Sequence, residues 1–376
     1  MSTKPLRVGI IGADTKASWA GASHIPAIQA QPALTLAAVA TRREESAKAA
    51  AGAFGAERWY ADPYALIRDD TIDLVTIAVK VPAHRDLVLA ALKAKKAVYC
   101  EAPLGATLAE TEEMAAATGA LHTAIGLQGR LNPSVRRAAE LIAAGRIGRL
   151  ISANVRATTF GYGPTSTSGY DYFNKRASGA SFLTITTAHV LDIVEAVLGR
   201  IAEVDARTKL IWPRIQLVDT GETSLREIHD HIDLIAETTL GASVSIQVLA
   251  GIENDPHFVM EVRGTEGSLT LKGHHLAGVQ VGDLTLSASV EFEAPEAPLA
   301  SGVGPTALDF WKGAAINVGE VYASLARDIS AGTFETPGFA HAAHNSRLIA
   351  AVEQAAQTGE RQRNLALRQH RDRALR

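Results

Sequence analysis

Apolar stretches of strand length alternate with helical patterns through the first third of the chain. Strands that are apolar on both faces belong to parallel sheets covered on both sides, and apolar residues at three- and four-residue spacing predict amphipathic helices. We therefore expect a doubly wound α/β domain over residues 1–126. Its elements in order are LRVGIIG, a helix at 19–31, LTLAAVAT, a helix at 44–54, IDLVTIAV, a helix at 84–94, KAVYCE, a helix at 107–118 and HTAIGLQ.

The pattern changes after Gln128. Longer stretches follow in which apolar and polar residues alternate, and most are not followed by a helix, which predicts a large, mostly antiparallel sheet with an open face. The fold class is thus α/β plus α+β, with a second domain over 127–376. Helices are expected around 134–144, 186–198, 314–330 and 339–357, and packing of the C-terminal helices back on the first domain is left open. The basic tail from residue 360 is open to three interpretations: a helix, an oligomer contact or a frayed end.

Composition narrows the function classes. The chain has 376 residues, 47% of them hydrophobic, and a net charge of −3 with scattered basic residues, so two cored domains are expected and nucleic acid is not an expected partner. The single cysteine, Cys100, excludes an intrachain disulfide framework and a Cys-rich zinc site. Without a long apolar segment or a leader pattern, a cytoplasmic protein with no membrane contact is the expectation.

The segment VGIIGADTKASWAGASHIPAI, residues 8–28, begins like a dinucleotide-binding turn and then departs from it. Gly12 supplies the first glycine of G-x-G-x-x-G, Asp14 stands at the second, and the loop is about three residues longer before Ala20. A domain that has lost its nucleotide is one interpretation. The other is that a loop between a strand and a helix still presents backbone N–H groups to an anion, with further donors on Thr15, Lys16 and Ser18.

The end of the second predicted strand carries Thr41, Arg42 and Arg43. An acidic residue there would accept hydrogen bonds from an adenosine ribose, whereas these side chains suit a 2′-phosphate. Two arginines also begin many solvated helices. The sequence therefore favours NADP over NAD.

Three segments, residues 8–28, 78–105 and 178–199, together resemble the glucose-fructose oxidoreductase/inositol dehydrogenase/MocA family over nearly the whole chain. The long first loop with Trp19 most resembles the branch that contains the yeast galactose-regulon repressor and its bacterial oxidoreductase-like relatives. The resemblance implies a Rossmann domain, a C-terminal domain with a large antiparallel sheet, and NAD(P) in the cleft between them. It also implies a homodimer or homotetramer formed through that sheet.

The resemblance assigns roles to single residues. It places Trp19 near the nicotinamide, the segment after the fourth strand along the cofactor, and Glu101 and Pro103 at a motif that shapes the nicotinamide pocket; His84 alternatively caps a helix. With the residues above, the expected cofactor contacts are Gly12, Asp14, Thr15, Lys16, Ser18, Trp19, Thr41, Arg42, Arg43, Val79, Lys80, Pro82, His84, Glu101, Pro103 and Gln128.

Two of the family's three proton-handling positions are altered. Ala102 replaces the lysine and Ile185 the aspartate, while His189 matches the histidine. Neither alanine nor isoleucine can accept a hydroxyl proton. The remaining catalytic candidates are His189, Lys80 and Tyr172, and the expected substrate contacts are Tyr172 and Lys175, from the polar, aromatic segment 161–180, with His189 and Asp192.

The resulting prediction is an NAD(P)-dependent oxidoreductase that moves a hydride to or from a sugar, polyol or related metabolite. Two alternatives stay open: a catalytically silent, nucleotide-binding regulator, and a redox-neutral enzyme that assists elimination or glycoside cleavage. No metal is expected, because the pairs His274 and His275, His229 and His231, and His341 and His344 lack completing ligands and are interpreted as surface histidines.

Overall fold

The computed structural model describes residues 4–16, 18–302, 311–363 and 365. The chain divides into two compact units. The first comprises Met1–Gln128 and Ala297–His344, and the second comprises Gly129–Glu296 and Asn345–Arg376. Most of the basic tail, residue 364 and residues 366–376, lies outside the described residues.

The first unit contains a six-stranded, wholly parallel sheet in the order β3-β2-β1-β4-β5-β6. This is the doubly wound order, which reverses between β1 and β4. The predicted parallel sheet is confirmed. Its strands are β1 Leu6–Ile11, β2 Leu34–Ala40, β3 Arg58–Tyr60, β4 Leu74–Ile77, β5 Ala97–Cys100 and β6 Thr123–Ile125, and its helices are α1 Ile25–Gln29, α2 Glu44–Phe54, α3 Pro63–Arg68, α4 His84–Lys93 and α5 Leu108–Ala116.

Three details differ from the sequence prediction. The short edge strand β3 and the six-residue helix α3 were not predicted, since neither carries a periodic apolar pattern of useful length. The predicted helix at 19–31 begins instead with a π-helical turn, Ala20–His24, in which the Ile25 N–H donates to the carbonyl of Ala20. Pro26 then opens α1.

The second unit is built on a seven-stranded sheet in the order β16-β15-β14-β7-β13-β12-β9. Every pairing is antiparallel except that of β7 with β13, so the predicted mostly antiparallel sheet is confirmed. The elements are α6 Pro133–Ala143, β7 Leu150–Thr159, β8 Thr165–Ser166, α7 Ala188–Leu198, β9 Ile201–Lys209, β10 Arg214–Leu217, β11 Thr223–Leu225, β12 His231–Thr238, β13 Ser243–Ala250, β14 Phe258–Gly264, β15 Ser268–Gly273 and β16 Leu284–Ala288.

Alternation along the strands explains the open face of this sheet. In β13, Val244, Ile246 and Val248 are buried, whereas Ser243 and Ser245 are exposed. The buried face packs in one core with α7, a helix whose residues are apolar on nearly every side. The opposite face remains exposed, as Ile235 on β12 shows.

Two further features complete the chain. A small sheet in the order β11-β10-β8 includes, through β8, part of the segment 161–180 of the second unit. Helix α8 (Ala315–Ala331) belongs to the first unit, and helix α9 (Phe339–Thr358) begins in the first unit and ends in the second. Among the described residues, no helix is both long and apolar enough to cross a bilayer.

Candidate cofactor and catalytic sites

The loop after β1 lies at the point where the sheet order reverses. Gly12 adopts a φ of +104°, and a Cβ added there would lie 2.3 Å from the carbonyl oxygen of Ala78. Only glycine fits this contact, because it combines a left-handed backbone with no side chain. The tight turn expected of the first glycine is therefore present.

Asp14 and Ser18 fold the lengthened loop on itself. The Asp14 carboxylate accepts from the N–H of Lys16 at 2.7 Å, which is an Asx turn. The Ser18 hydroxyl donates to the Asp14 carbonyl at 2.7 Å and accepts from the N–H groups of Asp14 and Gly21. The Ser18 hydroxyl proton is thus used inside the loop, and the contact of Ser18 with a cofactor stays a prediction. Thr15 and Lys16 are exposed.

At the end of β2, the Thr41 hydroxyl donates to the Arg43 carbonyl at 3.0 Å and fixes the turn into α2. The guanidinium groups of Arg42 and Arg43 are exposed, and neither makes an ion pair with a described residue. Both cations are thus available to an external anion.

His84 joins two predicted cofactor segments. Its Nε2 lies 3.0 Å from the Val79 carbonyl, and its Nδ1 lies 3.1 and 3.2 Å from the carbonyls of Pro103 and Leu104. Burial lowers the pKa of His84 most strongly, although the three carbonyl acceptors favour the charged ring and oppose that effect. His84 does not cap α4. It ties the turn after β4, including exposed Lys80 and Pro82, to the segment after β5.

Glu101 follows β5 directly, and its N–H donates to the carbonyl of Ile77 at the end of β4. Its carboxylate lies 2.8 Å from Nε2 of His24. Nδ1 of His24 in turn lies 2.9 Å from the Tyr322 hydroxyl, which lies 2.8 Å from that of Thr76. Sequence reasoning missed His24 and Tyr322; the one available signal was a histidine inside the apolar run SHIPAI.

Two buried polar atoms of the predicted cofactor set have no hydrogen-bond partner among the described residues: the indole N–H of Trp19 and the amide oxygen of Gln128. Trp19 also meets Trp311 edge to face, with 5.7 Å between ring centroids. Buried polar groups without partners are uncommon, and one explanation is a ligand that completes them.

In the second unit, His189 and Asp192 lie on α7 and are both buried. Arg130 donates to the Asp192 carboxylate at 2.7 Å, a partner that the sequence did not reveal. Ile185 lies in the π-helical turn Leu183–Thr187 that precedes α7. The fold thus places a carboxylate three residues after His189 rather than four residues before it.

Tyr172 and Lys175 lie in the 3₁₀ segment Ser168–Asn174 and directly after it. Tyr170, Tyr172 and Phe173 form an aromatic strip in which Tyr172 and Phe173 have ring centroids 4.1 Å apart. Burial raises the pKa of Tyr172, so its phenol keeps its proton at neutral pH. The Lys175 ammonium donates to Ser224 and to the Leu225 carbonyl, which anchors the segment on β11.

Arg226, which was not predicted, anchors the segment 161–180 through its hydrogen bonds. It donates to the carbonyls of Tyr162 and Gly163, to the Asn174 side chain and to the Asp230 carboxylate at 2.8 Å. Arg226 and Asp230 are 1% and 0% exposed. A buried ion pair therefore shapes the region where the sequence predicts substrate contacts.

The histidine pairs behave differently from one another. His229 is exposed, whereas His344 is buried, so its interpretation as a surface histidine is wrong. Within the described residues, no group of three or more His, Cys, Asp or Glu side chains is arranged to hold a metal ion.

Comparison with known proteins accounts for both units. Residues 6–126 match the model of the GFO/IDH/MocA oxidoreductases, a family with an NAD-binding Rossmann fold, and residues 133–273 match that of the Gal80p C-terminal domain. Dehydrogenase aclE of Aspergillus oryzae is 31% identical over 254 residues, covering 64% of this chain and 68% of that protein. The chain belongs to the GFO/IDH/MocA oxidoreductase family. The family resemblance drawn from its motifs is confirmed.

Other relatives of this chain include a regulator and dehydrogenases. The galactose/lactose metabolism regulatory protein GAL80 of Saccharomyces cerevisiae is 28% identical, over 79% of this chain and 73% of that one. Levoglucosan dehydrogenase of Pseudarthrobacter phenanthrenivorans is 26% identical, over 73% of this chain and 76% of that one. A crystal structure of a Saccharomyces cerevisiae Gal80p super-repressor mutant has the same fold, with a TM-score of 0.82 at 23% identity, covering 96% and 98% of the chains.

Proposed function

We propose that this protein is an NAD(P)-dependent oxidoreductase that acts on a hydroxyl or carbonyl group of a sugar or polyol. The observation that carries the proposal is the Gly12 turn at the reversal point of a 3-2-1-4-5-6 parallel sheet, in a chain of the GFO/IDH/MocA family. Ligands of doubly wound sheets bind at this point. Sugar dehydrogenases among the relatives support the substrate class.

The residues of the first unit fit a nicotinamide dinucleotide. The Gly12 turn has the backbone that the pyrophosphate loop of this fold requires, and the exposed arginines at the end of β2 suit the adenosine end. The indole N–H of Trp19 is a donor and the amide oxygen of Gln128 is an acceptor, and neither has a partner among the described residues. Together they match the carbonyl oxygen and the NH₂ group of the nicotinamide carboxamide. When bound, the nicotinamide supplies hydride transfer.

Side chains of the protein must accept or donate the proton of the substrate hydroxyl group. His189 is the principal acid/base candidate, since an imidazole can take the hydroxyl proton or return it near neutral pH. Tyr172 keeps its proton and can only donate in the neutral range. Lys80, exposed directly after β4, is the third candidate.

A silent regulator is the second candidate function. The similarity to GAL80 and the loss of the family lysine and aspartate, at Ala102 and Ile185, favour it. Such a protein would bind the dinucleotide without changing its redox state. The two candidates therefore differ in turnover and share nucleotide binding.

The first experiment titrates the protein with NAD+, NADH, NADP+ and NADPH, following tryptophan fluorescence and thermal shift. Nicotinamide absorbance is then followed with levoglucosan, D-apiose and myo-inositol as substrates. Binding with turnover is the expected result. Binding without turnover on any polyol supports the regulator, and absence of binding contradicts both candidates.

The His189 assignment has its own test. His189→Asn should lower kcat by roughly a hundredfold or more, the usual contribution of a general acid or base. His229→Asn, which changes an exposed histidine of the same unit, is the matched control and should leave kcat unchanged. An active His189→Asn variant would move the acid/base role to Lys80 or Tyr172.

The preference for NADP has a similar test. Replacing Arg42 and Arg43 by alanine removes the two exposed cations at the end of β2, and we expect the Kd for NADP+ to rise about tenfold or more while that for NAD+ changes little. Arg68→Ala, an exposed arginine at the end of α3, is the control. Equal effects on both nucleotides would assign these arginines no role in selectivity.

A further inference from the structure

Four polar side chains from four elements form a hydrogen-bonded row inside the first unit. The row runs from Thr76 on β4 through Tyr322 on α8 and His24 before α1 to Glu101 after β5, with links of 2.8, 2.9 and 2.8 Å. Thr76, His24 and Tyr322 are fully buried, and 14% of the Glu101 side chain is exposed. The row therefore ends at the one member that reaches the surface.

Counting donors and acceptors favours one direction of donation along the row. If His24 is neutral with its proton on Nε2, it donates to Glu101, Tyr322 donates to Nδ1, and Thr76 donates to Tyr322, so every buried group is satisfied. A doubly protonated His24 would reverse Tyr322 and leave the Thr76 hydroxyl without an acceptor among the described residues. The other neutral tautomer would turn a ring lone pair toward the carboxylate. The row thus holds Glu101 as an acceptor, the role of a carboxylate.

No described cation compensates this carboxylate. No Lys or Arg side chain among the described residues pairs with it, and its contact with His24 is a hydrogen bond to a neutral ring in the arrangement given above. Burial of a charge without a counter-ion is costly. The fold also makes room for it, since a Cβ on Gly126, after β6, would lie 2.7 Å from Glu101 Oε2. A partly buried carboxylate without a Lys or Arg partner can bind a positively charged group of a ligand.

The location of Glu101 identifies that charge. The arginines that suit the adenosine end follow β2, on one side of the reversal point, so the nicotinamide half belongs on the other side, over the carboxyl ends of β4 and β5. Glu101 is the first residue after β5 and is bonded to the last residue of β4. The oxidised nicotinamide ring carries a positive charge, and the reduced ring does not.

We propose that Glu101, held by His24 and Tyr322, makes this protein bind the oxidised nicotinamide dinucleotide more tightly than the reduced one. This inference rests on the proposed binding of NAD(P). Glu101 is the binding residue, and His24 and Tyr322 are positioning residues that act through it.

The test compares dissociation constants rather than rates. Glu101→Gln keeps the shape and removes the charge, so we expect the Kd for NAD+ or NADP+ to rise about tenfold while the Kd for the reduced form stays within twofold. Glu335→Gln removes an exposed carboxylate from the same unit and should change neither value.

A matched pair of phenol deletions separates positioning from structure. Tyr322→Phe removes the donor to His24 and should move the oxidised-to-reduced Kd ratio in the same direction as Glu101→Gln, but less. Tyr99→Phe removes the same atom from a ring that also packs on His24, at 5.0 Å, yet makes no hydrogen bond to a described residue, so the ratio should not change. A Tyr322→Phe variant that is only less stable would overturn the positioning roles.

The failures are distinguishable. If the unmodified protein binds none of the four nucleotides, the proposed function and this inference both fail. If it binds them and Glu101→Gln weakens both redox forms equally, the proposed function stands and the inference is overturned. Thermal unfolding shows whether each variant is folded. If Glu101→Gln does not fold, the ratio of the oxidised to the reduced Kd is measured on Tyr322→Phe instead.

Discussion

At the scale of single residues, two buried tyrosines of the first unit show how much one hydroxyl depends on its neighbours. Tyr99 and Tyr322 are both fully buried, and their rings pack 5.0 Å apart. The Tyr322 hydroxyl has two hydrogen-bond partners, whereas that of Tyr99 has none among the described residues. A buried hydroxyl without a partner has lost water and gained nothing.

Removing these two hydroxyls should therefore have opposite effects on stability. We expect Tyr322→Phe to lower the free energy of unfolding by about 1–3 kcal/mol, because His24 and Thr76 lose a partner, and Tyr99→Phe to be neutral or stabilising by about 1 kcal/mol. Urea unfolding of the two variants measures the difference. Equal losses would mean that the Tyr99 hydroxyl has a partner after all, such as a buried water.

The same contrast shows where sequence reasoning stops at this scale. Glu101 was found through a motif, and Gly12 through its place after a strand. Tyr322 lies almost 300 positions from His24, and nothing local in either segment indicates the contact. Arg130 was missed for the same reason, since its acidic partner Asp192 lies 62 positions away. Arg226 was missed because the carbonyls of Tyr162 and Gly163, to which it donates, lie 64 and 63 positions away.

At the scale of elements, the His84 ring connects the turn after β4 with the segment after β5, and it does so while buried. Burial lowers its pKa below the ordinary value of about 6.5. The unfolded chain then binds a proton that the folded chain excludes. Stability from this residue is present above that value and is lost as the pH falls below it.

We therefore expect His84→Gln to be less stable than the unmodified protein at pH 8 and the gap to narrow toward pH 5, because glutamine does not titrate. Melting temperatures across this pH range give the comparison. His122→Gln, a half-buried histidine of the same unit, is the control. Parallel curves for the unmodified protein and His84→Gln would show that the folded protein accepts the proton on this ring.

The segment 161–180 depends on a buried ion pair rather than on periodic structure. Asp230 accepts from Arg226 and from the N–H groups of Ile211 and Trp212, so one carboxylate connects the segment of Arg226 with the one that follows β9. Arg226→Met should lower the free energy of unfolding by about 3–5 kcal/mol, the cost of leaving a buried charge unpaired. Adding Asp230→Asn should recover part of this loss, which a double-mutant cycle measures. Additive losses would mean that the two side chains act independently.

Elements within a clear apolar pattern were predicted from sequence, and several short elements outside such a pattern were not. The buried strands of the first unit and the alternating strands of the second were both identified, because each side-chain pattern follows from which faces are covered. β3, α3 and the small sheet of β8, β10 and β11 have two to six residues each, too few for a period to show. Their formation depends on capping and tertiary contacts, such as Asp62 accepting from the N–H of Tyr64.

At the scale of the whole molecule, the open face of the seven-stranded sheet is the feature that the packing within a single chain does not explain. A shallow cavity of about 680 Å³ lies on it, lined by residues that include Asn154, Arg156, Asp233, Ile235, Gln247, Glu261 and Lys272. Ile235, 60% exposed, lines it together with charged side chains of both signs. Mixed charge around an apolar residue suits a twofold contact, in which acidic groups of one copy meet basic groups of the other.

We therefore expect the protein to be a homodimer, or a homotetramer that includes this contact, formed through the open face. Ile235→Arg should shift the mass measured by light scattering toward that of one chain, because it places an unpaired charge in the contact. Val218→Arg adds the same charge at a more exposed position outside this sheet and should leave the mass unchanged. If the unmodified protein already has the mass of one chain, or if Ile235→Arg leaves an oligomer intact, the open face has another purpose.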